Sequence, residues 1–258
     1  MKIDESMDTH EFFRRLEEVL EKMGRPRTPF LKDIFKHFPE SLKTTEFCFE
    51  VIQKDGWALK HVPENLKTTE ICLAAIKQNG LALEFVPENL KTHELCFLSI
   101  QQAGSALQYI PIELKTAEMC VAAIEDKNEE AAINGLILEY VPENMKTADI
   151  CLAAAQQDGG ALEYVPACFK TAEICLAAVQ QNGYALKYVP NVLKSKELCL
   201  AAVQQYGCAL EYTPEELKTI EMCLAAVKQN GLALEYVPEN LKTLEICITA
   251  MNSAEKEK

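Results

Sequence analysis

The stretch KTTEICLAAIKQNGLALEFVPENL, residues 67–90, decides the fold, because nearly the same sequence returns along most of the chain. Its proline recurs every 24 residues from Pro39 to Pro111 and from Pro142 to Pro238, and the one different interval is 31 residues long. A fixed period of this size is typical of a solenoid, in which each unit buries its apolar face against its neighbours. The repeat cysteine marks nine copies: Cys48, Cys72, Cys96, Cys120, Cys151, Cys175, Cys199, Cys223 and Cys247.

Each copy contains signals for two helices. Thr68 is a favourable N-cap, Glu70 complements the dipole of the first turn, and Gly80 follows at the position of a left-handed C-cap, so we predict a first helix over 69–79. The segment after Gly80 has helical apolar spacing and ends at Pro87, which predicts a short second helix followed by a tight, 3₁₀-like turn. The fold class is therefore all-α, an α-solenoid of nine helix and short-helix repeats.

The regions outside the regular period predict a cap, an extension and a tail. Residues 8–23 have one apolar stripe, so residues 1–30 are interpreted as an N-terminal capping helix with a linker, and the array occupies residues 31–253. The longer interval adds seven residues, nearly two helical turns, which predicts a helix extension near 125–131 that forms an acidic knob. The knob is either a tolerated insertion or a partner contact. Residues 254–258 are expected to be a frayed polar tail.

Charge and cysteine usage restrict the classes of partner. The chain has 39 acidic and 26 basic residues and a net charge of −13, which disfavours direct binding of nucleic acid. No apolar run reaches the ~20 residues of a membrane span, and the N-terminal residues lack a secretory pattern, so we expect a cytoplasmic protein without membrane contact, with export left open. The repeat cysteines lie too far apart for disulfides between neighbouring helices and are interpreted as small buried hydrophobes.

One copy, AAVKQNGLALEYVPENLK at residues 225–242, carries a likeness to a known family. It resembles the repeats of domain of unknown function 4116, in which a helix of the form E-I-x-L-A-A-V precedes G-x-A-L-x-Y, an acidic turn and a leucine. The chain differs in a proline after Tyr-Val and a cysteine in the first helix. The resemblance covers residues 31–253 and implies the same helical repeat architecture. It implies no catalytic residue.

The sequence offers little chemistry. His93 and Cys96 share a helix face, but a metal site needs three or four ligands and no further pair converges on them. Phosphate loops and nucleophile motifs are absent from the sequence, so we predict no catalytic residue, no metal and no cofactor. The lysine and glutamate that recur once per repeat, Lys67 and Glu70 in the quoted copy, are interpreted as helix caps and surface ion pairs.

Candidate binding residues lie where the copies vary. The position after the repeat glycine is occupied by Trp57 in one copy and Tyr184 in another, and Tyr206 interrupts a further column; aromatic residues of this kind often anchor interfaces. The alternative is that these are partly buried residues at a helix start. A glutamine column could bind the backbone of an extended peptide, although a solvated face is the simpler explanation: Gln78, Gln102, Gln157, Gln181, Gln205 and Gln229.

The sequence thus predicts a noncatalytic scaffold that binds a protein or peptide along one face of the array, with a basic partner as one candidate. A structural spacer and an enzyme of unrecognised mechanism are the alternatives. The sequence leaves the oligomeric state open.

Overall fold

The computed structural model describes residues 33, 35–126 and 134–254. Within this part of the chain every regular element is a helix and there is no strand, which confirms the all-α repeat fold. The chain divides into two compact units, Met1–Ala123 and Ile124–Lys258. The predicted capping helix and linker, most of the predicted extension near 125–131, and the tail after residue 254 lie outside the described residues.

Each described repeat begins with an α-helix of about three turns. The nine helices are α1 (Thr45–Lys54), α2 (Thr69–Gln78), α3 (His93–Gln102), α4 (Ala117–Glu125), α5 (Ala148–Gln157), α6 (Ala172–Gln181), α7 (Lys196–Gln205), α8 (Ile220–Gln229) and α9 (Leu244–Ala254). The predicted N-cap is confirmed in α2, where the Thr68 hydroxyl accepts a hydrogen bond from the backbone N–H of Ile71 at 3.3 Å. Glu70 lies in the first turn of the same helix.

The second half of each repeat is a 3₁₀ helix and not an α-helix. The short helices are Gly56–His61, Gly80–Phe85, Gly104–Tyr109, Asn134–Tyr140, Gly159–Tyr164, Gly183–Tyr188, Gly207–Tyr212 and Gly231–Tyr236. In the quoted copy the Asn79 side chain caps the start by accepting from the N–H of Leu81 at 2.9 Å. The proline then begins a second 3₁₀ turn, Glu88–Leu90, as predicted.

The repeat glycine has a different role from the predicted left-handed cap. The backbone of Gly80 does not adopt a positive φ; instead, a Cβ at this position would lie within 3.0 Å of the Ser99 carbonyl oxygen of the next repeat. The residue before it, Asn79, ends the helix in an extended conformation with φ −155°. The glycine is therefore required for the close approach of successive repeats and not for the turn.

The core is formed between successive repeats by small and branched apolar side chains. In the quoted copy Cys72, Ala75 and Ile76 of α2 and Ala82 and Leu83 of the 3₁₀ helix are all 0% exposed. The prediction for the repeat cysteines is confirmed for the eight from Cys48 to Cys223, which are buried and free, whereas Cys247 is half-buried.

The lysine that recurs once per repeat does not form the predicted surface ion pair. The Lys67 side chain is only 6% exposed, and its ammonium lies 2.6 Å from a carboxylate oxygen of Glu64, the residue three positions before it. The same ammonium donates to the backbone carbonyl of Phe85 in the following 3₁₀ helix at 3.0 Å. The prediction was wrong because the sequence places this lysine beside exposed polar residues but does not show the next repeat that covers it.

Candidate binding surface

The predicted aromatic residues Tyr184 and Tyr206 come together in the second unit. Their ring centroids are 5.9 Å apart and the rings meet edge to face. Tyr184 makes two further edge-to-face contacts, with Tyr188 at 6.2 Å and with Tyr212 at 5.7 Å. We call these four residues the tyrosine cluster. Tyr206 is 37% exposed and the other three are half-buried, so the cluster forms part of the surface.

The predicted residue Trp57 lies in the first unit and has a smaller aromatic environment. Its ring centroid is 5.8 Å from that of Phe85, and both side chains are half-buried. The Lys60 ammonium lies 5.6 Å from the centre of the same Phe85 ring, within the range of a cation–π interaction. Trp57 follows the glycine of its repeat, and Phe85 ends the 3₁₀ helix of the next repeat. The contact between them therefore joins two successive repeats.

Tyr188 and Tyr212 were missed as site residues by the sequence analysis. Each is the last residue of its 3₁₀ helix, a position that is aromatic in most copies. A ring that recurs in this way is readily explained by packing, so the sequence did not separate these two tyrosines from the core. What distinguishes them from the other rings in this position is their contact with Tyr184, which only the folded structure shows.

Hydrogen bonds fix the hydroxyl groups of the cluster. The Lys187 ammonium donates to the Tyr184 hydroxyl at 3.1 Å, and this bond, followed by one from Tyr212, lowers the pKa of Tyr184. Burial, followed by a hydrogen bond to the Glu163 carboxylate, raises the pKa of Tyr188. Burial, followed by the bond to Tyr184, also raises the pKa of Tyr212. Tyr188 and Tyr212 therefore keep their hydroxyl protons at neutral pH.

Two half-buried lysines bind the backbone of the cluster. The Lys170 ammonium donates to the carbonyl of Tyr188 at 3.1 Å, and the Lys194 ammonium donates to the carbonyl of Tyr212 at 2.7 Å. Burial lowers the pKa of both lysines. Because these bonds tie each 3₁₀ helix to the repeat before it, the rings stand on a well-anchored backbone.

The predicted glutamine column makes bonds between repeats at three of its six positions. Gln181 accepts from the N–H of Gly159 at 3.0 Å, and Gln229 accepts from the N–H of Gly207 at 2.6 Å. Gln205 donates to the backbone carbonyl of Gln180 at 2.7 Å. These side chains cap backbone groups of the preceding repeat. The other three predicted residues, Gln78, Gln102 and Gln157, lie at the equivalent helix ends, with the first two exposed and the third half-buried.

The α-helices present a second surface that the sequence analysis did not single out. In the first unit Phe49 and Leu73 line a groove of about 430 Å³ between α1 and α2, together with Ala74 and Lys77. The equivalent residues are large, apolar and half-buried or exposed in the other helices of the two units: Phe97, Val121, Leu152, Leu176, Leu200, Leu224 and Ile248. These positions lie within the apolar run of each helix, so the sequence alone does not distinguish them from the core.

Over residues 35–126 and 134–254, no three His, Cys, Asp or Glu side chains are grouped so that they could hold a metal ion. In the same ranges no helix has the length and apolar character needed to cross a membrane.

The repeats match one known family. Five segments of the chain, residues 44–91, 68–115, 171–218, 195–242 and 219–254, match the family described as Domain of unknown function (DUF4116), and together they cover more than half of the chain. No curated protein and no solved structure matches the chain. The five matches overlap in the 24-residue register that the sequence shows, so the chain belongs to the DUF4116 repeat family.

Proposed function

We propose that this chain is a noncatalytic repeat scaffold that binds a protein or peptide along the surface of its 3₁₀ helices, with the tyrosine cluster as the main contact. The repeats supply a fixed backbone and the positions that vary between copies supply specificity. This arrangement is typical of solenoid proteins, whose long regular faces serve as binding surfaces.

The observation that carries the proposal is the replacement of a structural residue by Tyr206. At three other positions equivalent to Tyr206, those of Asn79, Asn182 and Asn230, the side chain caps the 3₁₀ helix that follows. Tyr206 cannot do so, and the helix Gly207–Tyr212 has no side-chain cap. An N-cap contributes about 1 kcal/mol. The chain therefore gives up a stabilising bond where it gains a large, 37% exposed ring beside Tyr184.

The properties of the cluster suit an interface. Tyrosine combines a large apolar contact area with a polar group and few rotatable bonds, so little conformational entropy is lost when a partner covers it. The edge-to-face contacts and the hydrogen bond from Lys187 hold the Tyr184 ring before any partner arrives. A surface that is already ordered loses less free energy on binding than a flexible one.

The charge of the chain favours a basic partner over nucleic acid. A net charge of −13 repels phosphates and attracts basic segments. Eight buried, free cysteines fit a reducing compartment, which supports a cytoplasmic location as part of this proposal.

A peptide-display selection tests the proposal. Random peptides displayed on phage are selected on the immobilised full chain, and the enriched peptides are measured against a variant with Tyr184→Ala and Tyr206→Ala. Tyr109→Ala, which removes a half-buried ring of the first unit, is the matched control. We expect the double variant to weaken binding by at least about tenfold, or 1.4 kcal/mol, and the control to bind like the parent chain. Trp57→Ala measures the contribution of the first unit.

Two outcomes would contradict the proposal. Enriched peptides that bind the double variant as tightly as the parent chain would place the binding surface elsewhere. Failure to enrich any peptide would favour a structural spacer, for which deletion of one repeat should disturb function in the cell while substitutions in the tyrosine cluster should not.

A further inference from the structure

A column of glutamates lies beside the aromatic column on the 3₁₀ helices of the second unit. Each glutamate immediately precedes the final tyrosine of its helix and is exposed, whereas the tyrosine is half-buried. We call this surface the Glu-Tyr ridge. It consists of Glu139, Glu163, Glu211 and Glu235 with Tyr140, Tyr164, Tyr188, Tyr212 and Tyr236.

Carboxylates of the ridge interact with the tyrosine hydroxyl of the following repeat. Glu139 interacts with Tyr164, and Glu163 interacts with Tyr188. The ridge thus offers fixed negative charges beside the faces and edges of aromatic rings.

Lysines of the chain itself show which group suits this surface. Lys187 replaces the glutamate in one repeat, and its ammonium lies 5.4 Å from the Tyr184 ring centre and 5.5 Å from the Tyr188 ring centre. Lys60 occupies the same position in the first unit and lies 5.6 Å from the Phe85 ring centre. A cation beside these rings is attracted by their π electrons, and at the other repeats the neighbouring carboxylates would add to that attraction.

The spacing of the repeats defines the partner further. Packed helices lie ~10 Å apart, so successive glutamate and tyrosine pairs recur at about that distance. An extended peptide advances ~3.3 Å per residue, so three residues span one repeat. A lysine or arginine at every third residue of an extended segment would therefore meet the glutamate and tyrosine pair of each repeat except the one that carries Lys187.

We propose that the Glu-Tyr ridge binds an extended basic segment whose lysine or arginine side chains recur at every third residue. This inference rests on the proposed function, because it names the class of peptide that the scaffold binds. The carboxylates pair with the cationic groups, and the tyrosine rings contact their alkyl stems and charged ends.

Fluorescence anisotropy with synthetic peptides tests the inference. The probe is a labelled peptide of Lys-Gly-Ser triplets, and the comparison peptide has the same composition with its lysines in one block. We expect the triplet peptide to bind about tenfold more tightly than the block peptide, since only the triplet spacing places a cation at each glutamate and tyrosine pair. A peptide of Glu-Gly-Ser triplets should not bind.

Matched variants of the chain separate the ridge from general charge. The ridge variant carries Glu139→Gln, Glu163→Gln, Glu211→Gln and Glu235→Gln. The control removes the same number of charges at exposed first turns of the α-helices, with Asp149→Asn, Glu173→Gln, Glu197→Gln and Glu221→Gln. We expect the affinity for the triplet peptide to fall at least about tenfold in the ridge variant and less than about threefold in the control.

The outcomes decide between the two proposals. Equal affinity for the triplet and block peptides, or an equal loss of affinity in the ridge variant and the control, would indicate only diffuse attraction between opposite charges. Either result would overturn the inference. No binding of the triplet peptide would also overturn it. In either case the proposed function would stand if the display selection enriched peptides that lack regular basic residues and depend on Tyr184.

Discussion

The Lys67 ammonium and the Phe85 carbonyl oxygen, 18 residues apart in sequence, are joined by a hydrogen bond of 3.0 Å. The same contact recurs between Lys91 and Tyr109 and between Lys146 and Tyr164. Each bond connects the end of one repeat to the final residue of the next 3₁₀ helix, and in the second unit that residue, Tyr164, belongs to the Glu-Tyr ridge. The buried lysine therefore stabilises the array and positions the proposed site.

Replacing the buried lysine should destabilise the array. In Lys67→Met the apolar stem is retained, but the Phe85 carbonyl and the Glu64 carboxylate lose their donor, which should lower the free energy of unfolding by about 1–3 kcal/mol. Urea denaturation followed by circular dichroism measures the change. Lys242→Met is the control, because Lys242 is 27% exposed and its ion pair with Glu239 lies at the surface; we expect a loss below about 1 kcal/mol. Equal losses would show that burial of the lysine has no special effect.

The repeat glycine should not tolerate even one extra carbon atom. In Gly183→Ala the new Cβ would lie within 3.0 Å of the Ala202 carbonyl oxygen, so the two repeats must separate, at a cost of about 1–3 kcal/mol. The adjacent position in another repeat supplies the control. In Gly160→Ala the nearest atom is an Asp158 carboxylate oxygen at 3.1 Å, on a side chain that can move.

We expect Gly160→Ala to change stability by less than about 1 kcal/mol, in either direction. Thermal unfolding of the two variants beside the parent chain makes the comparison. A Gly183→Ala protein as stable as Gly160→Ala would show that the repeats can shift at no cost.

Local features of the fold could be predicted from the sequence, and contacts between repeats could not. The helix start at Thr68 depends on residues within one turn, and the burial of Cys72 follows from helical periodicity. The carbonyl that meets Gly80 and the one that binds Lys67 both belong to the following repeat. For the same reason Tyr184 and Tyr206 were recognised as unusual residues, but Tyr188 and Tyr212 were not recognised as their partners.

Restoring a missing cap should stabilise the first unit. Ala103 precedes the 3₁₀ helix Gly104–Tyr109 with φ −156° and ψ 112°, nearly the backbone angles of the capping residue Asn79, φ −155° and ψ 114°. The Ala103→Asn side chain can therefore accept from the N–H of Ser105, which should raise the free energy of unfolding by about 1 kcal/mol. Urea denaturation tests this, with Ala103→Leu as a control that adds volume without an acceptor. A gain in both variants would attribute the effect to packing.

Stability should fall at alkaline pH because the repeat thiols are buried. Burial raises the pKa of Cys48, Cys72, Cys96 and Cys151 from 9.0 to about 11. Above pH 9.0 the unfolded chain loses thiol protons that the folded chain keeps, so stability is complete below pH 9.0 and is lost as the pH rises towards about 11. Burial lowers the pKa of Lys170, which acts in the opposite direction, but more thiols than lysines are shifted.

The thermal unfolding midpoint, measured across that interval, should therefore decrease steadily. A chain with Cys72→Ala and Cys96→Ala should be less stable at neutral pH, because alanine leaves a small cavity, but its midpoint should depend less steeply on pH. An identical slope in the parent and the variant would contradict the assignment of the effect to the thiols.

Tyr206→Asn should separate binding from folding. The asparagine can cap the helix Gly207–Tyr212, as Asn182 and Asn230 cap the corresponding helices, and this gain of about 1 kcal/mol should offset the loss of the ring contact with Tyr184. We expect the free energy of unfolding to remain within about 1 kcal/mol of the parent value, while peptides from the display selection bind at least about tenfold more weakly. Tyr206→Phe keeps the ring without the hydroxyl and should retain most of the affinity. A Tyr206→Asn protein that binds like the parent chain would show that the ring serves packing alone, and the replacement of the capping residue would then lose its functional explanation.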